Sequence, residues 1–228
     1  MKIYAMSDIH GYLQEFEYAL SKIDLSGENR LILLGDYIHG PDSYGVLDRV
    51  IDLQEKYGSE KVIALLGNHE EMAINGSWNI SEDRFGVIGD LDDSNDDKYL
   101  SWMSHLPLYH AIGNANFVHA GIDEEAAAEE YWEWGADEHA YTSKFPADTG
   151  KIHNFDMKIV AGHIVTNKIS GDPNYHDIFF DGGSHYYIDG TVQKSGEIPV
   201  IMYDTETDRF YRITDSGAWL ILPYNEEN

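Results

Sequence analysis

The chain has 228 residues and a formal net charge of −26, with 43% hydrophobic residues, 13% aromatic residues and no cysteine. This composition predicts a single soluble globular domain over residues 1–228, because no apolar run approaches the ~20 residues that a membrane helix needs. The charge argues against nucleic acid and anionic membranes as partners, and the lack of cysteine excludes disulfides and thiolate metal sites.

The chain begins MKIYAMSDIHGYL, which lacks the continuous apolar segment of a signal peptide. We therefore expect a cytoplasmic location.

The first 70 residues alternate short apolar runs with longer amphipathic segments, which predicts βαβ units and a parallel sheet. Strands are predicted in KIYAMSD, RLILLGD and KVIALLGNH, and helices over 13–23 and 46–57. These strands lead into the polar segments SDIHG, GDYIHG and GNHEE. Because ligands bind beyond the carboxyl ends of the strands in open α/β sheets, the three segments mark the expected site.

The remaining chain predicts a second sheet packed on the first. A helix is predicted over 98–106 and ends at Pro107, and LYHAIGNANFVHAGI predicts two strands around a Gly-Asn turn. A helix from Glu124 and a strand in MKIVAGHIV follow. The segments DIFF, HYYID, IPVIMYD and RFYRIT predict short antiparallel strands.

Six polar residues stand at or just beyond predicted strands. Asp8 and His10 are two apart in a segment predicted to be extended, where residues i and i+2 point to the same side. Each of four further residues closes a separate strand, namely Asp36, Asn68, His119 and His163. Such a set of oxygen and nitrogen ligands suits two closely spaced ions such as Mn, Fe or Zn, with Asp36 as a possible bridge.

Two metal ions about 3.5–4 Å apart stabilise the attacking and the leaving oxygen of a displacement at phosphorus, and they activate a bridging water near neutral pH. The expected reaction is therefore hydrolysis of a phosphate ester by a metal-bound hydroxide. Any one of the six residues by itself is more often a solvated or capping residue, so the expectation rests on all six together.

The motifs DIHG, GD, GNHE, VHAG and GH occur in this order, beginning at Asp8, Gly35, Gly67, Val118 and Gly162. In them the chain resembles the calcineurin-like metallophosphoesterases, and within these the phosphoprotein phosphatases and their bacterial relatives, which include diadenosine tetraphosphate hydrolases. The resemblance implies an α/β (α+β) fold in which helices flank a two-sheet β-sandwich.

The resemblance also implies roles for individual residues. The implied ligands of the first metal are Asp8, His10 and Asp36. Those of the second metal are Asp36, Asn68, His119 and His163. His69 would stand near the leaving group as a general acid or an electrostatic stabiliser. The cofactors expected are two divalent or trivalent ions, with Mn first and Fe or Zn as alternatives.

The chain departs from the family at the second motif. The family pattern is G-D-x-x-D-R-G, whereas this chain has His39 and Gly40 after GDYI. In the family that Asp orients the catalytic His and that Arg holds phosphate. Two roles of His39 are therefore considered. It could bind the substrate phosphate through a protonated imidazole, or it could cap a turn. Further substrate contacts considered are Trp132, Trp134 and Lys144. Tyr131 and Trp134 lie three apart on a predicted helix, and this spacing favours core packing for both.

Several functions are compatible with these residues. The first is a phosphomonoesterase similar to a serine/threonine protein phosphatase, and the alternatives are a dinucleoside polyphosphate hydrolase and a phosphodiesterase. A catalytically silent binding protein is the hypothesis from another class. The expected partner is a phosphorylated small molecule, a nucleotide or a phosphoprotein.

Overall fold

A computed structural model describes residues 1–81, 96–127, 137–152 and 155–226. Its strands are β1 Lys2–Met6, β2 Arg30–Leu33, β3 Val62–Ala64, β4 Tyr109–Ile112, β5 Ala115–Val118, β6 Lys158–Ala161, β7 Phe179–Phe180, β8 His185–Tyr187, β9 Val200–Asp204, β10 Arg209–Thr214 and β11 Gly217–Leu220. Its helices are α1 Leu13–Ser21, α2 Ser43–Tyr57, α3 Asn68–Ile74, α4 Asp96–Met103, α5 Glu124–Ala127, α6 Glu138–Ser143, α7 Thr166–Ser170 and α8 Val192–Ser195, with a 3₁₀ turn at Tyr224–Glu226.

The strands form two mixed sheets. The first has six strands in the order β11-β10-β9-β1-β2-β3, and the second has five in the order β4-β5-β6-β8-β7. Strands β1, β2 and β3 pair in parallel, as the alternation of apolar and amphipathic segments predicts. The predicted two-sheet sandwich with flanking helices is therefore confirmed.

The predicted second half agrees with the structure in part. Strand β8, in HYYID, pairs antiparallel with β7 as expected, and it also pairs in parallel with β6, which was not expected. The strands β9 and β10 were expected in the second sheet. In the structure β9 pairs with β1 and β10 pairs with β9, so both belong to the first sheet. The last strand, β11, was not predicted, and its four residues are exposed at the sheet edge.

The apolar residues pack in three layers. Side chains of β1 alternate, so that Ile3 and Ala5 face the second sheet while Tyr4 and Met6 face the helices α1 and α2. A third cluster, which includes Val118 and Tyr141, covers the other face of the second sheet. The parallel strands β1, β2 and β3 are buried on both faces, which fixes their carboxyl ends in position. In the described ranges, no helix has the length and the apolar character that crossing a membrane requires.

Candidate metal centre

The loops that follow β1 and β2 lie side by side. The backbone N–H of Asp8 donates to the Gly35 carbonyl at 3.2 Å, and the N–H of His10 donates to the Asp36 carbonyl at 2.8 Å. A third bond, of 2.8 Å, runs from Gly11 N to the Tyr37 carbonyl. The two loops therefore extend the pairing of their strands and bring the motifs DIHG and GD into contact.

Five of the candidate residues have left-handed backbone conformations. The φ angles are 54° at Asp8, 47° at His10, 57° at Asp36, 65° at His39 and 62° at His163. The expectation that Asp8 and His10 share a strand face is wrong, because β1 ends at Met6 and both residues turn out of the strand direction. Non-glycine residues in this region cost about 1–3 kcal/mol each and concentrate at functional sites.

Asp36 stands between two sets of imidazoles. Its Oδ2 atom lies 3.7 Å from Nε2 of both His10 and His69, and its Oδ1 atom lies 3.4 Å from Nε2 of His119. Two groups of possible metal ligands therefore share Asp36, one with His10 and His69 and one with His119 and His163. The residue itself is 2% exposed.

Asn68 and Asp8 complete the cluster. The Oδ1 atom of Asn68 lies 2.9 Å from both His119 Nε2 and His163 Nδ1. The carboxylate of Asp8 accepts the backbone N–H of His163 at 3.0 Å and lies 3.9 Å from His10 Nε2. The structure thus brings all six predicted ligands to one edge of the fold, together with His69.

Two of the imidazoles are oriented by backbone carbonyls. His10 Nδ1 lies 3.1 Å from the Ile38 carbonyl, and His119 Nδ1 lies 3.0 Å from the Leu34 carbonyl. A ligand histidine characteristically donates its other ring N–H in this way, which leaves the Nε2 lone pair for a cation.

The contacts of His119 fit a bound cation. Burial lowers the pKa of His119 well below its usual range, with His163 and His10 nearby, so the ring is neutral and has one N–H. Because Nδ1 donates that hydrogen to Leu34, Nε2 and the Asn68 oxygen face each other as two acceptors. A cation between them would resolve this, because both lone pairs could then bind it.

The charges at the site agree with this reading. Burial raises the pKa of Asp36 well above its usual range, and the carboxylates of Asp8 and Glu70 raise it further. Burial lowers the pKa of His163 to about 4. Among the described residues, the ion-pair partners of Asp36 are imidazoles and include no lysine or arginine. A buried carboxylate so placed needs a proton or a metal ion for balance.

Glu70 has a structural role that no sequence motif predicts. It is fully buried, and its carboxylate accepts the backbone N–H groups of Asp36 at 2.8 Å, Tyr37 at 2.7 Å, Gly67 at 3.1 Å and Ile38 at 3.4 Å. Glu70 also stands in the first turn of α3, where a negative charge is favourable. The carboxylate fixes the loop that carries Asp36.

His39 lies against His69. Their Nδ1 atoms are 2.7 Å apart, and the His39 ring stacks on Trp78 with centroids 4.2 Å apart. His39 is 2% exposed and His69 is 6% exposed. Trp78 belongs to no motif, and no sequence pattern predicts this contact. Binding of phosphate by His39 stays a prediction.

The other three residues considered as substrate contacts do not add to the site. Trp132 and Trp134 lie outside the described residues. Lys144 lies against the Ile122 carbonyl and forms ion pairs with Glu124 and Asp148. A lysine held by two carboxylates has little charge to offer an incoming phosphate.

Comparisons with known proteins identify sequences and structures that are similar to this chain. The family model described as calcineurin-like phosphoesterase matches residues 1–199. A symmetrical bis(5'-nucleosyl)-tetraphosphatase from Nitrosospira multiformis is 32% identical over 126 residues, which cover 54% of this chain and 44% of the relative. The chain therefore spans less than half the length of this curated relative.

Two solved structures share the fold. A cold-active protein-tyrosine phosphatase from a psychrophilic Shewanella species superposes with a TM-score of 0.72 at 17% identity, covering 97% of this chain and 80% of the other. A protein serine/threonine phosphatase from Saccharomyces cerevisiae superposes with a TM-score of 0.63 at 15% identity, covering 97% and 79%. At these identities the likeness shows the fold alone.

Proposed function

Because the chain belongs to the calcineurin-like phosphoesterase family, we propose that it hydrolyses phosphate esters at a centre of two metal ions. The position of Asp36 is the observation that carries this proposal. Each of its oxygens faces a different set of imidazoles, His10 and His69 on one side and His119 on the other. A carboxylate shared in this way is the arrangement that a bridging ligand requires.

The proposed ligands are the six residues predicted from the sequence. The residues that would hold the first ion are Asp8, His10 and Asp36. Those that would hold the second ion are Asp36, Asn68, His119 and His163. Two ions there would polarise the phosphoryl oxygens and lower the pKa of a water molecule between them. We propose Mn for the ions, with Fe or Zn as alternatives, and a cytoplasmic location.

His69 is proposed to act on the leaving group rather than to bind metal. Its Nε2 atom lies 3.7 Å from Asp36 Oδ2, which places it beside the proposed centre. From there the ring can donate a hydrogen bond or a proton to a departing oxygen. Asp8 would supply the remaining ligand for the first ion, so the proposed centre would not depend on His69. His69→Asn should therefore retain metal and lose turnover.

The first substrate class proposed is a phosphomonoester, on a small molecule or a phosphoprotein. Dinucleoside polyphosphates are a second candidate, which the similarity to the Nitrosospira multiformis tetraphosphatase supports. Phosphodiesters are a third, because the Arg that would hold a dianionic phosphate in the second motif is replaced.

The experiment is a hydrolysis assay of Mn-loaded protein on a phosphomonoester, a phosphodiester and a dinucleoside tetraphosphate, with Asp36→Asn as the control. We expect turnover of at least one substrate, and a loss of at least about 10³-fold in Asp36→Asn. Equal rates in the wild type and the variant would contradict the proposal. Bound metal without turnover of any substrate would favour the silent binding protein.

A further inference from the structure

The ring of His69 is enclosed by three aromatic side chains. The His10 ring meets it edge-on with centroids 4.7 Å apart, the His39 ring lies at 4.9 Å and the Trp78 ring at 5.4 Å. Trp78 in turn stacks on His39 at an interplanar angle of 20°. A buried ring packed in this way has little freedom to rotate, so its neighbours decide where Nε2 points.

The polar contact between the two rings is specific. The Nδ1 atoms of His39 and His69 are 2.7 Å apart, so one ring donates the N–H and the other accepts it. This bond uses the Nδ1 edge of His69 and leaves Nε2 on the side of Asp36. If the ring were flipped, it would lose the bond and turn Nε2 away from the proposed centre.

The backbone of His39 is shaped for this contact. Its φ of 65° lies in the left-handed region, which a histidine occupies at a cost. The neighbouring Gly40 packs against the His10 carbonyl so closely that a Cβ at this position would overlap it. The loop after β2 is thereby held against the loop after β1, with the His39 side chain directed at His69.

We infer that His39 is the positioning residue of His69: its Nδ1 contact, supported by the Trp78 stack, fixes the His69 ring with Nε2 toward Asp36. The inference rests on the proposed function, because it gives His69 a part in the reaction. An imidazole then does what an aspartate does in the family pattern. His39 acts through His69, so its loss affects turnover more than substrate binding.

Two substitutions at position 39 isolate the hydrogen bond. His39→Asn keeps a hydrogen-bonding group near the Nδ1 position and tolerates a left-handed backbone, and His39→Gly tolerates the backbone without the hydrogen bond. We expect His39→Gly to lower kcat about 10–100-fold with little change in KM and in bound manganese, and His39→Asn to recover most of the loss. The loss should be greater for an alkyl phosphate than for an aryl phosphate, whose leaving group needs less protonation.

Spectroscopy of the metal-free protein tests the contact without turnover. The ¹⁵N signals of the His69 ring, identified by their absence in His69→Asn, should shift in His39→Gly and return toward the wild-type position in His39→Asn. In the His69→Asn background, His39→Gly should cause no further loss of kcat.

The outcomes separate the inference from the proposed function. A rise in KM at constant kcat would overturn the positioning role and assign His39 to phosphate binding. Unchanged His69 signals in His39→Gly would overturn it as well. A wild type that binds metal but hydrolyses nothing, with His69 signals that still depend on His39, would support the contact and overturn the phosphoesterase activity.

Discussion

The buried carboxylate of Glu70 orients the loop that carries Asp36. Each oxygen accepts two backbone N–H groups, those of Asp36 and Gly67 at Oε2 and those of Tyr37 and Ile38 at Oε1. Burial raises the pKa of Glu70, and these bonds oppose that effect because they favour the charged form.

Glu70→Gln should therefore destabilise the protein and impair the centre. An amide offers one acceptor and a donor that faces existing donors, so the two N–H groups at the replaced oxygen lose their acceptor, at roughly 1–3 kcal/mol for each buried group left unpaired. Denaturant unfolding measures the free energy, and manganese titration should show weaker binding because the Asp36 loop is less fixed.

Glu71→Gln is the matched control. Glu71 is only half-buried and accepts from the Thr142 hydroxyl at 2.8 Å, a bond that a glutamine oxygen can also accept. A loss of stability as large as that of Glu70→Gln would show that the bonds to the Asp36 loop are unimportant.

The individual candidate ligands could be predicted from the sequence, because each stands at or just beyond an apolar strand and within a motif. The sequence could not predict the contacts of Glu70, His39 and Trp78. Glu70 meets a loop more than 30 residues earlier, and the His39 contact spans 30 residues. Such contacts depend on how closely two loops approach in the folded chain.

At the scale of elements, the start of α3 lies against the loop after β2. Gly67 precedes α3, and a Cβ at this position would overlap both the carboxylate and the backbone nitrogen of Asp36. Gly35 has a φ of 107°, and a Cβ there would come within 2.6 Å of Gly67 N. Because neither glycine has a Cβ, the loop after β2 and the start of α3 can touch.

Gly67→Ala should displace Asp36 and lower kcat about 100-fold, at a cost in stability of about 1–3 kcal/mol. Steady-state kinetics and denaturant unfolding measure the two effects. The reason is steric, because the added methyl group and the Asp36 carboxylate would occupy the same space.

Gly76→Ala, just beyond the other end of α3, is the control. Its φ of 69° makes alanine strained, but a Cβ there would have no neighbour within 4 Å. We expect a similar loss of stability of about 1–2 kcal/mol and unchanged kcat. Equal kcat in the two variants would mean that close approach of the loops does not set the position of Asp36.

The elements themselves were largely predictable. Predicted helices over 13–23 and 98–106 correspond to α1 and α4, because apolar periodicity is a local property. The sheet to which β9 and β10 belong was not predictable in the same way. Strands β1 and β9 pair although they are far apart in the sequence. An alternating apolar pattern in β9 and β10 is compatible with either sheet.

For the whole molecule, the net charge of −26 makes a local excess of carboxylates costly. The raised pKa of Asp36 means that the metal-free folded protein binds this proton more tightly than the unfolded chain does. The resulting stability is present at low pH and is lost as the pH rises through the raised pKa. His163 has the opposite dependence, since its pKa falls from 6.5 to about 4 and its contribution is lost as the pH falls through that interval.

We therefore expect the stabilisation by manganese to increase with pH. A metal ion must displace the Asp36 proton at lower pH, whereas His163 is already neutral above about pH 5. At 100 times the dissociation constant, binding adds about 2.7 kcal/mol, which corresponds to a Tm increase of roughly 5–10 °C. Thermal unfolding between pH 5.5 and 8, with and without Mn, measures this increase.

Asp36→Asn supplies the comparison, because it has no proton to displace at this position. Its Tm should increase little with manganese at any pH. A wild-type Tm increase that stays constant from pH 5.5 to 8 would contradict the link between metal binding and the Asp36 proton.

The proposed function requires that two metal ions share Asp36. Electron paramagnetic resonance of the Mn-loaded protein, with the bound metal counted in the same sample, tests this claim directly. We predict two manganese ions per chain with the signal of an exchange-coupled pair, and loss of the coupled signal in Asp36→Asn. One ion per chain with the signal of an isolated ion would show that Asp36 does not join two metal ions.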